Sequence, residues 1–158
     1  MARMIPQSAA HDSSGAETWL FKKLEKLSDQ YCVLHSLGSM RHDHKNWSEI
    51  DFTVVGPEGI FLIEVKGGTV GRKNGAWEVQ RGDGKIESLG RGPFFQVGSA
   101  EAATRKFLQN RFDWIQKLVM GYWVVTPDCV LSVDDLGVDS RAVYDANNLH
   151  ISAESLVQ

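Results

Sequence analysis

The stretch that most constrains the fold is residues 49–68, which read EIDFTVVGPEGIFLIEVKGG. Two runs rich in Ile, Val and Phe are separated by Gly-Pro-Glu-Gly, a pattern typical of two β-strands joined by a turn. We predict strands over residues 50–55 and 60–66. Glu64 and Lys66 lie inside the more hydrophobic strand, where burial of an unpaired charge costs several kcal/mol.

The length of the connecting loop determines which residues of the two strands face each other. Pairing Val55 with Ile60 across the four-residue loop sets Asp51 opposite Glu64. Residues in that relation have Cβ atoms roughly 4.5–5.5 Å apart, and two carboxylates this close repel unless a proton or cation lies between them. Period-two alternation adds Lys66 to the same face. A slip of one residue would separate the two acids, so this prediction depends on the register.

Asp51, Glu64 and Lys66 together suit the hydrolysis of a phosphodiester. Mg²⁺ takes one or two carboxylates and completes its octahedron with water and substrate phosphate. The metal polarises the phosphoryl oxygen and lowers the pKa of a bound water, and a lysine can orient that water or neutralise charge on the phosphate. Spacing leaves an alternative open, in which Glu64 and Lys66 are exposed and Lys66 forms a weak surface ion pair with Glu49.

The other segments predict an α/β (α+β) fold with a mixed sheet flanked by helices. Leucines at helical spacing follow Ser14, which forms a capping-box pattern with Glu17. Asn74-Gly75 suits a type I′ hairpin turn, and Pro93 suits the first position of a helix. We predict helices over residues 14–30 and 93–118, strands over 31–37 and 119–126, and a hairpin over 70–79.

Residues 119–126 are apolar at nearly every position, which predicts a central strand. The helix that precedes it is expected to bury one face against the sheet. The residues predicted for that face are Val97, Ala100, Phe107, Trp114, Ile115 and Leu118.

A chain of 158 residues has the length of one domain. We expect a flexible lead-in over residues 1–13, the domain itself over 14–127, and an acidic extension over 128–158. That extension holds six acidic side chains and one arginine, a net charge of −5, whereas the rest of the chain carries +2. Its final residues read like the start of a helix, so we expect the natural chain to continue into a following region.

Several classes of protein are excluded or weakened by the sequence. The two cysteines, Cys32 and Cys129, have no CxxC spacing, which argues against a disulfide framework or a cysteine-rich zinc site. P-loop, GxSxG and HExxH motifs are absent. No apolar run approaches a membrane span and the N-terminus lacks a secretory core, so we expect a cytoplasmic protein.

Residues 49–68 closely resemble the core motif of the NERD (nuclease-related domain) family, within the PD-(D/E)xK nuclease superfamily. The likeness extends in looser form from about residue 14 to residue 126. It implies a restriction-endonuclease-like fold with Mg²⁺ or Mn²⁺ as cofactor. By position in the motif, Asp51 and Glu64 would be metal ligands, the backbone carbonyl of Val65 would join them, and Lys66 would be the catalytic lysine.

The same resemblance points to two further catalytic residues. The superfamily often adds a glutamate on the first helix, where Glu17 stands, although the capping box with Ser14 accounts for Glu17 without any ligand. A Pro followed by a Gln at the start of the late helix matches Gln96. Its place in the first helical turn favours an anionic phosphate, and a simple hydrogen-bonding role at the helix N-terminus is the alternative.

Basic residues outside the motif are candidates for nucleic-acid contact. One group lies in the loop MRHDHKNW, where a zinc site is disfavoured because adjacent residues seldom converge on one ion. The other lies in residues 70–92, where solvated hairpin ends are the alternative to a track for the DNA backbone. The residues predicted to touch nucleic acid are Arg41, His44, Lys45, Arg72 and Lys73.

Two functions follow from these patterns and the resemblance. The first is a metal-dependent nuclease domain that hydrolyses DNA in DNA processing or repair, with RNA as an alternative substrate. The second is a catalytically weak or inactive binding module on a nuclease fold, serving an attached helicase or kinase. The presence of Asp51, Glu64 and Lys66 together favours the first.

Overall fold

The structure, a computed structural model, describes residues 1–38, 49–131 and 139–157. Within these ranges the chain forms a six-stranded mixed sheet, a three-stranded sheet and two α-helices, which confirms the predicted α/β (α+β) class. The strands are β1 (Arg3–Ile5), β2 (Cys32–Gly38), β3 (Glu49–Gly56), β4 (Gly59–Val65), β5 (Thr69–Lys73), β6 (Ala76–Gln80), β7 (Ile86–Ser88), β8 (Met120–Thr126) and β9 (Val143–Asp145). The helices are α1 (Gly15–Leu24) and α2 (Pro93–Gln109).

The large sheet has the strand order β1-β2-β3-β4-β8-β9, and β5, β6 and β7 form the small sheet. Neighbours β2, β3 and β4 are antiparallel, whereas β8 runs parallel to β4. The carboxyl ends of β4 and β8 therefore lie at the same end of the sheet. Because α2 is the crossover between these parallel strands, its N-terminus lies near that end too.

Each face of the large sheet is covered by one helix. Leu20 and Phe21 of α1 pack with Phe52 and Ile63 on one face. Val97 and Ala100 of α2 pack with Leu62 and Val124 on the other. Consecutive residues of β4 alternate between these two cores. The hydrophobic side chains of β4 are therefore buried by both helices, one on each face.

The predicted register of the hairpin is confirmed. Val55 pairs with Ile60, and Gly56 pairs with Gly59, so the turn itself consists of the two residues Pro57 and Glu58. The second hairpin is confirmed as well, since both residues of its turn have positive φ, 52° at Asn74 and 82° at Gly75.

The first helix is shorter than predicted. It begins after Ser14 with the predicted capping box but ends at Leu24 rather than near residue 30. Beyond it the backbone tightens, with the Leu27 N–H donating to the Leu24 carbonyl at 3.0 Å, three residues back. This tighter turn brings Leu27 into full burial.

The second helix also ends early, at Gln109 rather than residue 118. The chain adopts an extended conformation at Phe112 and then forms a short 3₁₀ helix, Asp113–Lys117, before it enters β8. Ile115 is buried in this segment, whereas Trp114 is 63% exposed. The expectation that Trp114 lies on a buried helix face is therefore wrong, because the helical periodicity does not continue to that position. Phe107 and Leu118 are half-buried.

The segments at both ends of the chain belong to the folded domain. Arg3–Ile5 is a strand parallel to β2, and β9 is a strand parallel to β8. Tyr144 and Leu156, from the acidic extension, are buried in the core beneath α1. Short strands such as these satisfy the exposed backbone groups of a sheet edge. No helix in the described part of the chain is long and apolar enough to cross a membrane.

Gly59 is expected to be indispensable for the hairpin. Its φ is +146°, and a Cβ there would lie 2.2 Å from the carbonyl oxygen of Val119. Gly59→Ala should therefore destabilise the protein by about 3 kcal/mol, because the clash is with backbone. Urea unfolding of this variant beside Gly71→Ala, which meets nothing within 4 Å, checks it. Equal stability of the two variants would contradict this account.

Candidate metal and catalytic site

The candidate site lies where β3 and β4 separate. The last pair of their ladder is Phe52 with Ile63, so Asp51 stands one step beyond the ladder, level with Glu64. There the Asp51 Oδ2 atom accepts a hydrogen bond of 2.7 Å from the backbone N–H of Val65. The carboxylate thus takes the place of a ladder partner and is held at the end of β4.

Glu64 is a buried carboxylate with one cationic neighbour. The residue is only 2% exposed, and Lys66 Nζ lies 2.5 Å from its Oε1 atom, with the lysine side chain 18% exposed. The lysine ammonium thus forms a close ion pair with a carboxylate that is otherwise enclosed in the core. The alternative of two exposed charges, with Lys66 beside Glu49, is wrong because Glu64 is buried and pairs with Lys66.

Both carboxyl groups of the pair are hard to ionise. Burial raises the pKa of Asp51 to about 6, although the Val65 N–H and the Lys66 charge oppose this rise. Burial and then the negative charge of Asp51 raise the pKa of Glu64 to about 7, again against the effect of Lys66. The two acids therefore favour a proton or a cation between them.

The backbone of Val65 is turned toward the same place. The Lys66 N–H donates to the Val125 carbonyl of β8 at 2.9 Å. Because backbone groups of successive residues in a strand point to opposite sides, the N–H and carbonyl of Val65 face β3 and Asp51. This orientation suits the predicted contribution of the Val65 carbonyl.

These groups fit a hard divalent cation better than zinc. No cluster of three or more His, Cys, Asp or Glu side chains able to hold a metal is found within residues 1–38, 49–131 and 139–157. The candidate ligands are therefore the carboxylates of Asp51 and Glu64 and the backbone carbonyl of Val65. Mg²⁺ or Mn²⁺ suits oxygen donors, and Mg²⁺ keeps several waters, so two carboxylates are enough.

Glu17 forms the predicted cap of α1 and also acts electrostatically on the carboxylate pair. Its backbone N–H donates to Ser14 Oγ at 3.2 Å and its Oε1 accepts from that hydroxyl at 2.8 Å, which confirms the capping box. Its negative charge also raises the pKa of both Asp51 and Glu64. Glu17 is therefore close enough for its charge to act on the carboxylate pair, and a catalytic role for it stays a prediction.

Gln96 lies in the first turn of α2, near the same end of the sheet, but its side chain is exposed. Its backbone N–H donates to the Gly92 carbonyl at 3.1 Å. That group is therefore not free to bind an anion, and the catalytic role of Gln96 stays a prediction that would rest on its side chain.

Two of the five basic residues predicted to touch nucleic acid lie among the described residues. Arg72 and Lys73 are exposed at the β5–β6 turn, where the Arg72 Nε donates to the Gly75 carbonyl at 3.1 Å. Their contact with nucleic acid stays a prediction. Arg41, His44 and Lys45 lie outside the described residues.

Sequence reasoning missed the residues that support the chain after Lys66. The N–H of Gly68 donates to Asp128 Oδ2 at 2.7 Å, and Arg81 Nη1 donates to the Gly67 carbonyl at 3.4 Å. Both partners come from segments remote in sequence, so no local spacing could have revealed them.

His35 was also missed. It lies on β2, paired with Phe52, and its Nε2 atom is 3.6 Å from Glu17 Oε2. Its side chain is completely buried. The residues beside it in sequence form no recognisable motif, so only the fold shows that it lies next to Glu17.

Comparison with known proteins identifies the family of the chain. The NERD family model, described as nuclease-related domain, matches residues 13–126, which run from the cap of α1 to the end of β8. The match includes Asp51, Glu64 and Lys66. No curated protein sequence matches the chain. Since the family model covers well over half of the chain, the protein belongs to the NERD family of nuclease-related domains.

Proposed function

We propose that this domain is a nuclease that hydrolyses DNA phosphodiester bonds with Mg²⁺ or Mn²⁺ held by Asp51, Glu64 and the Val65 carbonyl. The observation that carries the proposal is the buried Glu64 carboxylate, which lies beside the carboxylate of Asp51 and forms an ion pair with Lys66. Burial of such a group is costly for a purely structural role. Membership of the family supports a nuclease-related function.

Each side chain has a distinct part in this proposal. When bound, the metal would polarise the phosphoryl oxygen and lower the pKa of a water. The Val65 N–H fixes the orientation of Asp51. Lys66, partly exposed beside Glu64, orients the attacking water or donates to a phosphate oxygen as negative charge develops there.

The surroundings of the site suit a polyanionic substrate. The N-terminus of α2 lies at the same end of the sheet, where backbone dipoles favour phosphate. Arg81 reaches the chain directly after Lys66. We further propose that the protein acts in the cytoplasm, in DNA processing or repair.

Asp51→Asn is the direct test. The amide oxygen can still accept from the Val65 N–H, so the fold should persist while one ligand charge is lost. Mn²⁺-dependent cleavage is expected to fall by about a thousandfold. The assay uses single-stranded DNA, duplex DNA and RNA in parallel, and Asp139→Asn, which removes an exposed carboxylate, serves as the control.

Wild-type cleavage by Asp51→Asn, with contaminating nuclease excluded, would overturn the mechanism. Calorimetric titration of the wild type with Mn²⁺ separates the rival function. A folded protein that neither binds Mn²⁺ nor cleaves any of the three substrates would instead be a binding module for an attached helicase or kinase.

A further inference from the structure

His35 is an unusual core residue. Its ring stacks on Phe52, with centroids 4.5 Å apart and planes 16° from parallel, and meets the edge of Phe21 at 5.5 Å. Neither ring nitrogen has a hydrogen-bond partner in the described structure. A buried polar group without a partner costs about 1–3 kcal/mol, so phenylalanine would suit this aromatic site better than histidine.

The carboxylate of Glu17 lies close to the His35 ring and is a possible hydrogen-bond partner for it. Glu17 uses its Oε1 atom in the capping box, accepting from the Ser14 hydroxyl at 2.8 Å. Its Oε2 atom is left for His35, whose Nε2 lies 3.6 Å away. This separation is slightly longer than a hydrogen bond, and a small movement of either side chain would close the gap. Ser14 and His35 thus approach the two oxygens of one carboxylate.

We propose that His35 is a positioning residue of the site, which holds Glu17 Oε2 so that the Glu17 charge is directed at Asp51 and Glu64. This inference rests on the proposed metal site, because the function of that charge is to increase the attraction of the carboxylate pair for a cation. The contact joins β2 to α1, and stacking on Phe52 of β3 holds the His35 ring in place. Neutral imidazole can serve, with its Nε2–H donating to the carboxylate.

Isosteric variants of His35 test the proposal in the folded protein. His35→Phe keeps the aromatic stack and removes both unpartnered nitrogens, so its melting temperature should equal or exceed that of wild type. Its affinity for Mn²⁺, measured by calorimetry, should fall by about threefold to tenfold, the range of a modest electrostatic coupling. His35→Gln, whose amide can donate from the position of Nε2, should retain Mn²⁺ affinity within about twofold.

Two comparisons separate positioning from packing. Phe21→Leu disturbs the aromatic neighbour of His35 without touching a polar group, so it should lower the melting temperature but leave Mn²⁺ affinity unchanged. Glu17→Gln keeps the capping box, which accepts either residue, and should weaken Mn²⁺ binding. Adding His35→Phe to Glu17→Gln should weaken it no further, because the two residues act through one contact.

The outcomes are distinct. Unchanged Mn²⁺ affinity in His35→Phe, with wild type binding normally, would overturn the positioning role and leave the proposed function intact. Equal losses from Phe21→Leu and His35→Phe would show that packing alone is responsible and would also overturn it. Absence of Mn²⁺ binding by wild type would refute the metal site itself, and with it this inference.

Discussion

Replacement of Glu64 by glutamine is expected to stabilise the metal-free protein while it destroys cleavage. At about pH 8 the carboxylate is ionised although burial and Asp51 raise its pKa to about 7. Glutamine removes this buried charge, so stability should rise by about 2 kcal/mol, or about 4–8 °C in melting temperature. Cleavage should fall by about a thousandfold, because a ligand is lost.

The pH dependence follows from the same shift. A carboxyl group whose pKa is raised by folding binds a proton more tightly in the folded state, so stability is lost as pH rises through the folded pKa. With chelator present, the melting temperature of wild type should fall between about pH 5 and pH 8, since the pKa values of Asp51 and Glu64 are raised to about 6 and about 7. Glu64→Gln should show a shallower fall.

The control for Glu64 is Glu87→Gln, which alters a largely exposed ion pair with Arg81. Its melting temperature and pH profile should follow those of wild type. Mn²⁺ added at about pH 8 should raise the melting temperature of wild type and of Glu87→Gln but not of Glu64→Gln. A Glu64→Gln protein less stable than wild type in chelator would mean that the carboxylate serves the fold rather than a cation.

Replacement of Lys66 by methionine is expected to have the opposite effect on stability. Methionine keeps a long apolar side chain but leaves the buried Glu64 without its cationic partner. At about pH 8 the metal-free protein should lose about 3 kcal/mol, and cleavage should fall by about a hundredfold or more. Urea unfolding and a single-turnover assay measure the two quantities.

Two companion variants make the Lys66 result specific. The double variant Lys66→Met with Glu64→Gln should be at least as stable as wild type, better than the net loss of about 1 kcal/mol that additive effects would give, because no unpaired charge remains. It should recover none of the activity. Lys66→Arg keeps the charge, so it should fold well, but its planar guanidinium should not replace a catalytic ammonium. Additive effects in the double variant would contradict a direct pairing of Lys66 with Glu64.

The part of the site that could be predicted from sequence is the part built by neighbouring residues. The loop between β3 and β4 is short, so counting back from Val55 and Ile60 was enough to bring Asp51 level with Glu64. Ser14 and Glu17 are three residues apart, so their capping box could be read directly. The hairpin at Asn74-Gly75 follows from the φ values its turn requires.

The remainder depends on contacts between distant segments. Three-residue strands such as β1 and β9 are too short for any periodicity to be visible, and they form because a sheet edge is available to them. His35 is next to Glu17 only because β2 packs beneath α1. The sequence predicts too long an α2 because apolar residues at helical spacing continue past Gln109, whereas the helical backbone ends at that residue.

The segment matched by the family model and the folded structure have different limits. The family match stops at residue 126, but β8 is an interior strand whose outer side is covered by β9. Asp128, which anchors Gly68 behind Lys66, also lies past that limit. The contacts of β9 with β8 and of Asp128 with Gly68 therefore tie the candidate site to sequence that the family model does not cover.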